Sequence, residues 1–219
     1  MDVSIRTWLV CLAFAAVLGQ TPDARAQEDL SIRRCDKEHP GQSITTVLWW
    51  AYGIPEYLIV GPDWIRTECL AFTMVPGKVY PAQQFQPALQ RELADRMYLA
   101  AHKEFREIEV LVLKLPGDGT PLRLQPKEAG RNAHSEINYR SLKMPGFEVS
   151  ALAQQLSEAL RRPVIDETGL GGSFDINLTW SGTDLFQRVK EQLGLELASA
   201  KRPIQELVVD RIEKLSSPE

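Results

Sequence analysis

One stretch of this chain is written twice, and that repetition limits the fold more than any other feature. Phe85 to Lys114 reads FQPALQRELADRMYLAAHKEFREIEVLVLK, and Thr183 to Lys214 reads TDLFQRVKEQLGLELASAKRPIQELVVDRIEK. LQRELADRMYLAAHK and FQRVKEQLGLELASAK align with one residue of slippage. Both copies read as helix, strand, turn, strand. In the second, Leu185, Phe186, Val189 and Leu193 recur at helical spacing and predict one apolar face. Thr183 is the expected N-cap, Asp184 suits the first turn, and Gly194 supplies the left-handed stop. Leu195, Leu197 and Ser199 then alternate as a strand does, Lys201-Arg202-Pro203 reads as a turn, and Leu207 to Val209 centres a last strand. In the first copy Phe85, Leu89 and Leu93 give the helix stripe. Leu99 and Ala101 mark one strand, and Ile108, Val110 and Val112 mark another.

The segments before the two copies also match. Ser43 is placed to cap a helix carrying Ile44, Val47, Leu48 and Ala51, ended by Gly53. Tyr57 to Val60 and Cys69 to Val75 follow as strands. In the partner segment Val149, Leu152, Leu156 and Leu160 form a helical stripe, and Val164-Ile165 begins a strand. Gly169 to Gly172 reads as a hairpin turn, after which Phe174, Ile176 and Leu178 alternate with polar residues. The expectation is an α+β protein of two similar helix-strand-strand-helix-strand-strand halves. Its sheets are antiparallel or mixed, with helices on one face. The predicted divisions are a signal peptide over 1–26, an arm over 27–42 with one short strand at Leu30–Arg34, repeats over 43–115 and 147–219, and a loop over 116–146. That loop is rich in Pro, Gly, Asn and charge, with one strand expected from Ile137 to Leu142.

Arg6, the uncharged run Trp8–Leu18 and the small-x-small Ala24-Arg25-Ala26 have the order of an export signal, cut before Gln27. The expected location is therefore periplasmic or extracellular, with no membrane span once the signal is removed. A net charge of −4 gives no electrostatic case for nucleic acid. Export permits a Cys35–Cys69 disulfide, whereas the place of Cys69 in CLAFTMV suits a small buried thiol. The sequence leaves that pairing open.

The search for chemistry assigns no catalytic, cofactor-binding or metal-binding residue. His39, His102 and His134 make no H-E-x-x-H pair and stand at no ligand spacing from the cysteines. There is no G-x-S-x-G elbow, and Gly169–Gly172 lacks the Lys-Ser/Thr of a phosphate loop. Asp166, Glu167 and Asp175 can be drawn as hydrolase carboxylates, but solvated turn and strand positions explain them more simply. Trp49, Trp50, Trp64 and Trp180 can stack on a ligand, or pack. Trp49 and Trp50, adjacent on one helix, cannot both face one core.

SEALRRPVIDETGLGGSFDINLTW, followed by the second copy, resembles the C-terminal signature of a large paralogous family of exported proteins of unknown function from soil acidobacteria and related bacteria. AYGIPEYLIVGPDWI and the first copy resemble the N-terminal half of that family, with its lead-in before Ser43 shortened. The resemblance implies no activity, cofactor or catalytic residue. Some relatives look joined to membrane metallopeptidases of the antibiotic-sensor type, and the repeated units look similar to small N-terminal domains of secretins and outer-membrane receptors. The first likeness implies a sensing or binding role outside the cytoplasm and the second the binding of other proteins. Two strand-bearing repeats, whose sheet edges can pair with a partner chain, favour a non-enzymatic module that binds a protein or peptide partner in the cell envelope. The alternative is an exported hydrolase using scattered carboxylates. Converging acidic side chains in a deep pocket would favour the hydrolase; a shallow surface would favour the binder.

Overall fold

The computed structural model describes residues 30–74, 82–127, 135–138 and 140–215. The export signal, its cut site, Val75, His134 and part of the 116–146 loop lie outside them. The chain runs β1 (Leu30–Arg34), β2 (Gln42–Ser43), α1 (Ile44–Tyr52), β3 (Ile59–Val60), β4 (Cys69–Met74), α2 (Ala82–Met97) and β5 (Ala100–Lys114). It continues with β6 (Gln125–Pro126), β7 (Glu136–Asn138), β8 (Ser141–Phe147), α3 (Val149–Leu160), β9 (Val164–Asp166) and β10 (Phe174–Thr179). A short α4 (Leu185–Arg188) passes into a π turn at Val189–Leu193, and β11 (Glu196–Arg211) follows. The protein is α+β. Apart from the two-residue β2, the order strand, helix, strand, strand, helix, long strand runs from β1 to β5 and again from β8 to β11, so each unit opens on a strand, at Leu30 and at Ser141.

Each copy ends in one long strand, where the sequence had suggested two strands and a turn. β5 and β11 pair antiparallel along their whole length, with Pro203 opposite Glu107. The N–H of Leu111 donates to the Pro163 carbonyl, and the Leu113 carbonyl accepts from the N–H of Glu167. Odd-numbered residues of β5 therefore turn their backbone groups away from β11, and the residues facing them on β11 turn away likewise. Pro203 is one of these, so its missing N–H costs no ladder bond. Nothing in Lys201-Arg202-Pro203 supplies the positive φ that a tight hairpin needs. The charges instead face water on an exposed ribbon.

The ribbon interlocks the halves. The central sheet has the order β3-β11-β5-β9, with β3 parallel to β11 and β9 parallel to β5. Each half thus adds its short strand to the other half's long one. One core contains Leu48, Leu89 and Leu93 from the first half together with Leu207, Val209 and Leu215 from the end of the chain. The second contains Leu152, Leu156 and Leu193 together with Leu111 and Leu113 from the end of β5. A three-stranded sheet, β1-β4-β2, closes the first lobe, and β6-β10-β8-β7 closes the second. Gly169–Gly172 therefore does not close a hairpin. It carries the chain from the central sheet at β9 to the outer sheet at β10. The expected strand at Ile137–Leu142 is also two strands, β7 and β8, paired to each other.

Local signals explain the helices. The Ser43 hydroxyl accepts from the Thr46 N–H at 3.1 Å, and Gly53 closes α1 with φ +70°. In α2, Leu89, Leu93 and Met97 are buried, and Phe85 packs beside them. Glu92 is buried on the same helix because its carboxylate accepts the Ile32 N–H. In the last helix the inward positions are Leu185, Val189 and Leu193. Phe186 is 45% exposed, since a four-residue spacing leaves it off the stripe. Thr183 is not the cap. Asp184 holds that place, and its carboxylate accepts from the N–H of Ser181 and pairs with Arg188. Gly194 is needed twice, for φ +69° and because a Cβ there would lie 2.2 Å from the Pro121 carbonyl oxygen.

Cys35 and Cys69 are disulfide-bonded across a separation of 34 residues. Gly41 allows this, since a Cβ at that position would lie 2.6 Å from the Cys35 sulfur and 2.0 Å from the Leu70 carbonyl oxygen. Closing such a loop stabilises by about 3–4 kcal/mol in the chain-entropy account. Urea unfolding with and without reductant should show a loss of that size.

Leu193→Ala should cost about 2–5 kcal/mol, because it empties a buried site at the end of the helix. Lys190 pairs with Asp118 on the surface, so Lys190→Ala should leave the urea midpoint nearly unchanged. Equal shifts would mean that the wrong face of this helix is drawn inward.

Candidate functional site

The residues weighed for chemistry are dispersed and individually engaged. His39 pairs with Asp36, and His102 pairs with Asp210 at 2.8 Å and with Glu104 at 3.4 Å. The Asp210 hydrogen bond, with help from Glu104, raises the His102 pKa. Asp166 accepts from the N–H and hydroxyl of Thr168, which fixes a turn. Glu167 binds Arg202 at 2.7 Å, and the Arg202 hydrogen bond lowers its pKa. Asp175 pairs with Lys127 at 2.9 Å. These three carboxylates thus have separate partners. Among the described residues no group of three or more His, Cys, Asp or Glu side chains could hold a metal ion.

Two surfaces remain. The first is a recess where the lobes meet, with a volume of about 370 Å³, lined by Ser43, Thr45, Glu56, Tyr57, Arg66 and Arg161. A smaller one of about 80 Å³ adjoins it and adds Trp49, Pro55 and Glu158. Glu56 lines both. One carboxylate oxygen accepts the Thr46 hydroxyl at 2.6 Å, and the other binds Arg161 at 2.7 Å. Burial pushes the Glu56 pKa up, but the Thr46 hydroxyl and Arg161 together outweigh it, so the value is lowered. Arg161 ends α3 with φ +51°, a left-handed conformation that costs a non-glycine residue roughly 1–2 kcal/mol. The side chain at this strained position ties the end of α3 to Glu56 of the first lobe. Tyr57 is partly buried here, and burial raises its pKa. Trp49 and Trp50 are both exposed, at 42% and 36%, because Val47, Leu48 and Ala51 take the inward face of α1. Trp50 leans on Phe72 at 5.8 Å. Its lowered pKa keeps Glu56 charged at neutral pH, where a general acid must hold its proton, and both its oxygens are engaged by Thr46 and Arg161; Glu158 is the second carboxylate on the recess wall.

The second surface is the ribbon itself. β3 pairs with β11 only at Leu207–Val208, and β9 with β5 only at Leu111–Leu113. Among the described residues no backbone group bonds the outer edge of β5 from Ala101 to Glu109. Lys103, Phe105 and Glu107 present unpaired N–H and C=O groups there, and Phe105 is 68% exposed. The matching edge of β11 is interrupted by Pro203. Open edges are expected from the sequence in general, but a turn placed in each long strand hid this one. The run His102–Ile108 contains no Gly, Pro, Asn or Asp, and that absence of any turn residue was the available signal.

A family model described as protein of unknown function, DUF3738, matches residues 45–212. The chain belongs to the DUF3738 family. The match runs from the first turn of α1 to just past β11, so the DUF3738 unit takes in the whole ribbon and both halves except β1 and β2. No curated protein and no solved structure matches the chain. Among the described residues of this DUF3738 protein, no helix is long and apolar enough to cross a membrane.

The lowered Glu56 pKa makes a stability prediction with a definite sign. A carboxylate depressed in the folded state stabilises above its unfolded value of 4.5 and loses that contribution as pH falls towards the folded value. Urea unfolding at neutral pH and at about pH 3 should show a smaller acid-induced loss in Glu56→Gln than in the unaltered protein. An unchanged acid loss would show that the Thr46 and Arg161 contacts do not hold Glu56 charged.

Proposed function

We propose that the chain is an exported, non-enzymatic module that binds or senses a protein or peptide partner in the cell envelope by taking an extended segment of it as an added strand on β5. The single observation that carries this reading is the unpaired outer edge of β5, nine residues long, with an exposed aromatic at its middle. Strand addition uses main-chain hydrogen bonds for affinity and alternate side chains for selectivity, and this edge offers both. Export is supported by the order of Arg6, apolar run and Ala-Arg-Ala, and a Cys35–Cys69 disulfide suits an oxidising compartment. A binding role is further supported by the charged, paired state of Glu56 and by the separate partners of Asp166, Glu167 and Asp175.

Phe105→Pro tests the reading with little disturbance to the fold. Phe105 turns its N–H outward, so proline removes one edge donor and leaves the β11 ladder intact, as Pro203 does on the other strand. The unaltered protein should capture a partner from envelope extract of the producing organism, and Phe105→Pro should lose that partner while keeping its urea midpoint. Capture that survives the substitution would place binding elsewhere.

A further inference from the structure

The sequence of the β5 edge names its own occupant. The free run is bounded at one end by Tyr98, whose φ of +49° turns the chain out of the strand, and at the other by β9 at Leu111. Its midpoint is Phe105. On either side the charges read Lys103-Glu104-Phe105-Arg106-Glu107, a pattern that is its own complement when reversed.

We propose that β5 pairs antiparallel with β5 of a second copy of this chain, with Phe105 opposite Phe105 across a two-fold axis, joining two central sheets into one of eight strands. This rests on the edge-binding reading above and specifies the partner. An axis normal to the sheet must pass through a residue that faces its own copy. With Phe105 on the axis, Lys103 faces Glu107 and Glu104 faces Arg106, each twice, and the two aromatics meet at the centre. Such opposite-charge and aromatic cross-strand pairs stabilise a ladder, whereas like charges directly opposite destabilise it. Centring on Lys103, Glu104, Arg106 or Glu107 sets that charge against itself. Centring on Ile108 sets Glu107 against Glu109.

The backbone agrees with the charges. Lys103, Phe105 and Glu107 are the residues whose N–H and C=O groups face outward, as the bonds of Leu111 to Pro163 and of Glu167 to Leu113 establish further along the same edge. In the Phe105-centred register they meet as mutually hydrogen-bonded pairs, so Phe105 exchanges two bonds with its copy. Nine residues, Ala101 to Glu109, then lie opposite themselves, and the pairing stops where β9 begins.

Sedimentation velocity across a concentration series, on protein purified after expression with its own leader, tests this. The unaltered protein should be a dimer that dissociates on dilution. Lys103→Glu sets a second carboxylate opposite Glu107 at both ends of the pairing, and should raise the dimer Kd about tenfold or more. Lys103→Glu/Glu107→Lys restores both pairs in reversed sense, and should return the Kd to within about threefold of the original. Lys103 also donates to the Tyr52 carbonyl, but both variants lose that bond, so rescue isolates the contact between copies. A dimer that ignores Lys103→Glu, or a double variant as weak as the single one, would overturn the proposal. A monomer that still takes up another protein, and loses it in Phe105→Pro, would overturn the second-copy occupant and leave the edge-binding reading intact. A monomer that takes up nothing would overturn both.

Discussion

The pairing of β5 with β11 is the interaction on which the rest of the structure depends. Fifteen residues of each copy's last strand lie against the other, and each strand begins in one core and ends in the next. Leu207 and Val209 fill the first lobe, while Leu111 and Leu113 fill the second. Burying these four side chains contributes about 6–12 kcal/mol, taking roughly 1.5–3 kcal/mol for each. That is comparable with the whole stability of a typical domain, about 5–15 kcal/mol. Neither half can complete its core without the other's strand, and the short additions of β3 and β9 repeat the exchange at the sheet margins.

The same construction leaves edges bare. A ribbon long enough to reach both cores must cross the space between them, and β3 and β9 cover only its ends. The crossing segment stays in solution because it is charged on both faces, from Lys103 to Glu107 and from Lys201 to Glu206. Pro203 blunts one edge further. Phe105 on the other edge is the exception, and a large exposed aromatic in the middle of an open strand edge has no packing reason within the chain.

Much of the local structure was legible in the sequence. Ser43, Gly53 and Gly194 marked helix ends because capping and left-handed stops depend on single residues. The stripes of α2 and α3 followed from spacing alone, as did that of the last helix apart from Phe186, which lies off it. What could not be read was which strand joins which sheet, since β3, β9 and both long strands find their partners far along the chain. Lys201-Arg202-Pro203 misled because proline in a strand is harmless only when its nitrogen faces outward, and that is settled by register. The lobe contact between Glu56 and Arg161 was equally hidden, since a salt bridge across 105 residues leaves no trace in local pattern. The Cys35–Cys69 bridge, left open by the sequence, depended on the approach that Gly41 permits.

On this account the two lobes are one cooperative unit held by the ribbon. Trp64 packs with the first core and Trp180 with the second, so each reports its own lobe. Two variants with Trp49 and Trp50 replaced, one keeping Trp64 alone and the other Trp180 alone within the two lobes, should unfold in urea with the same midpoint and the same slope by fluorescence. Two distinct transitions, with one lobe remaining folded after the other has melted, would contradict the interlocked account.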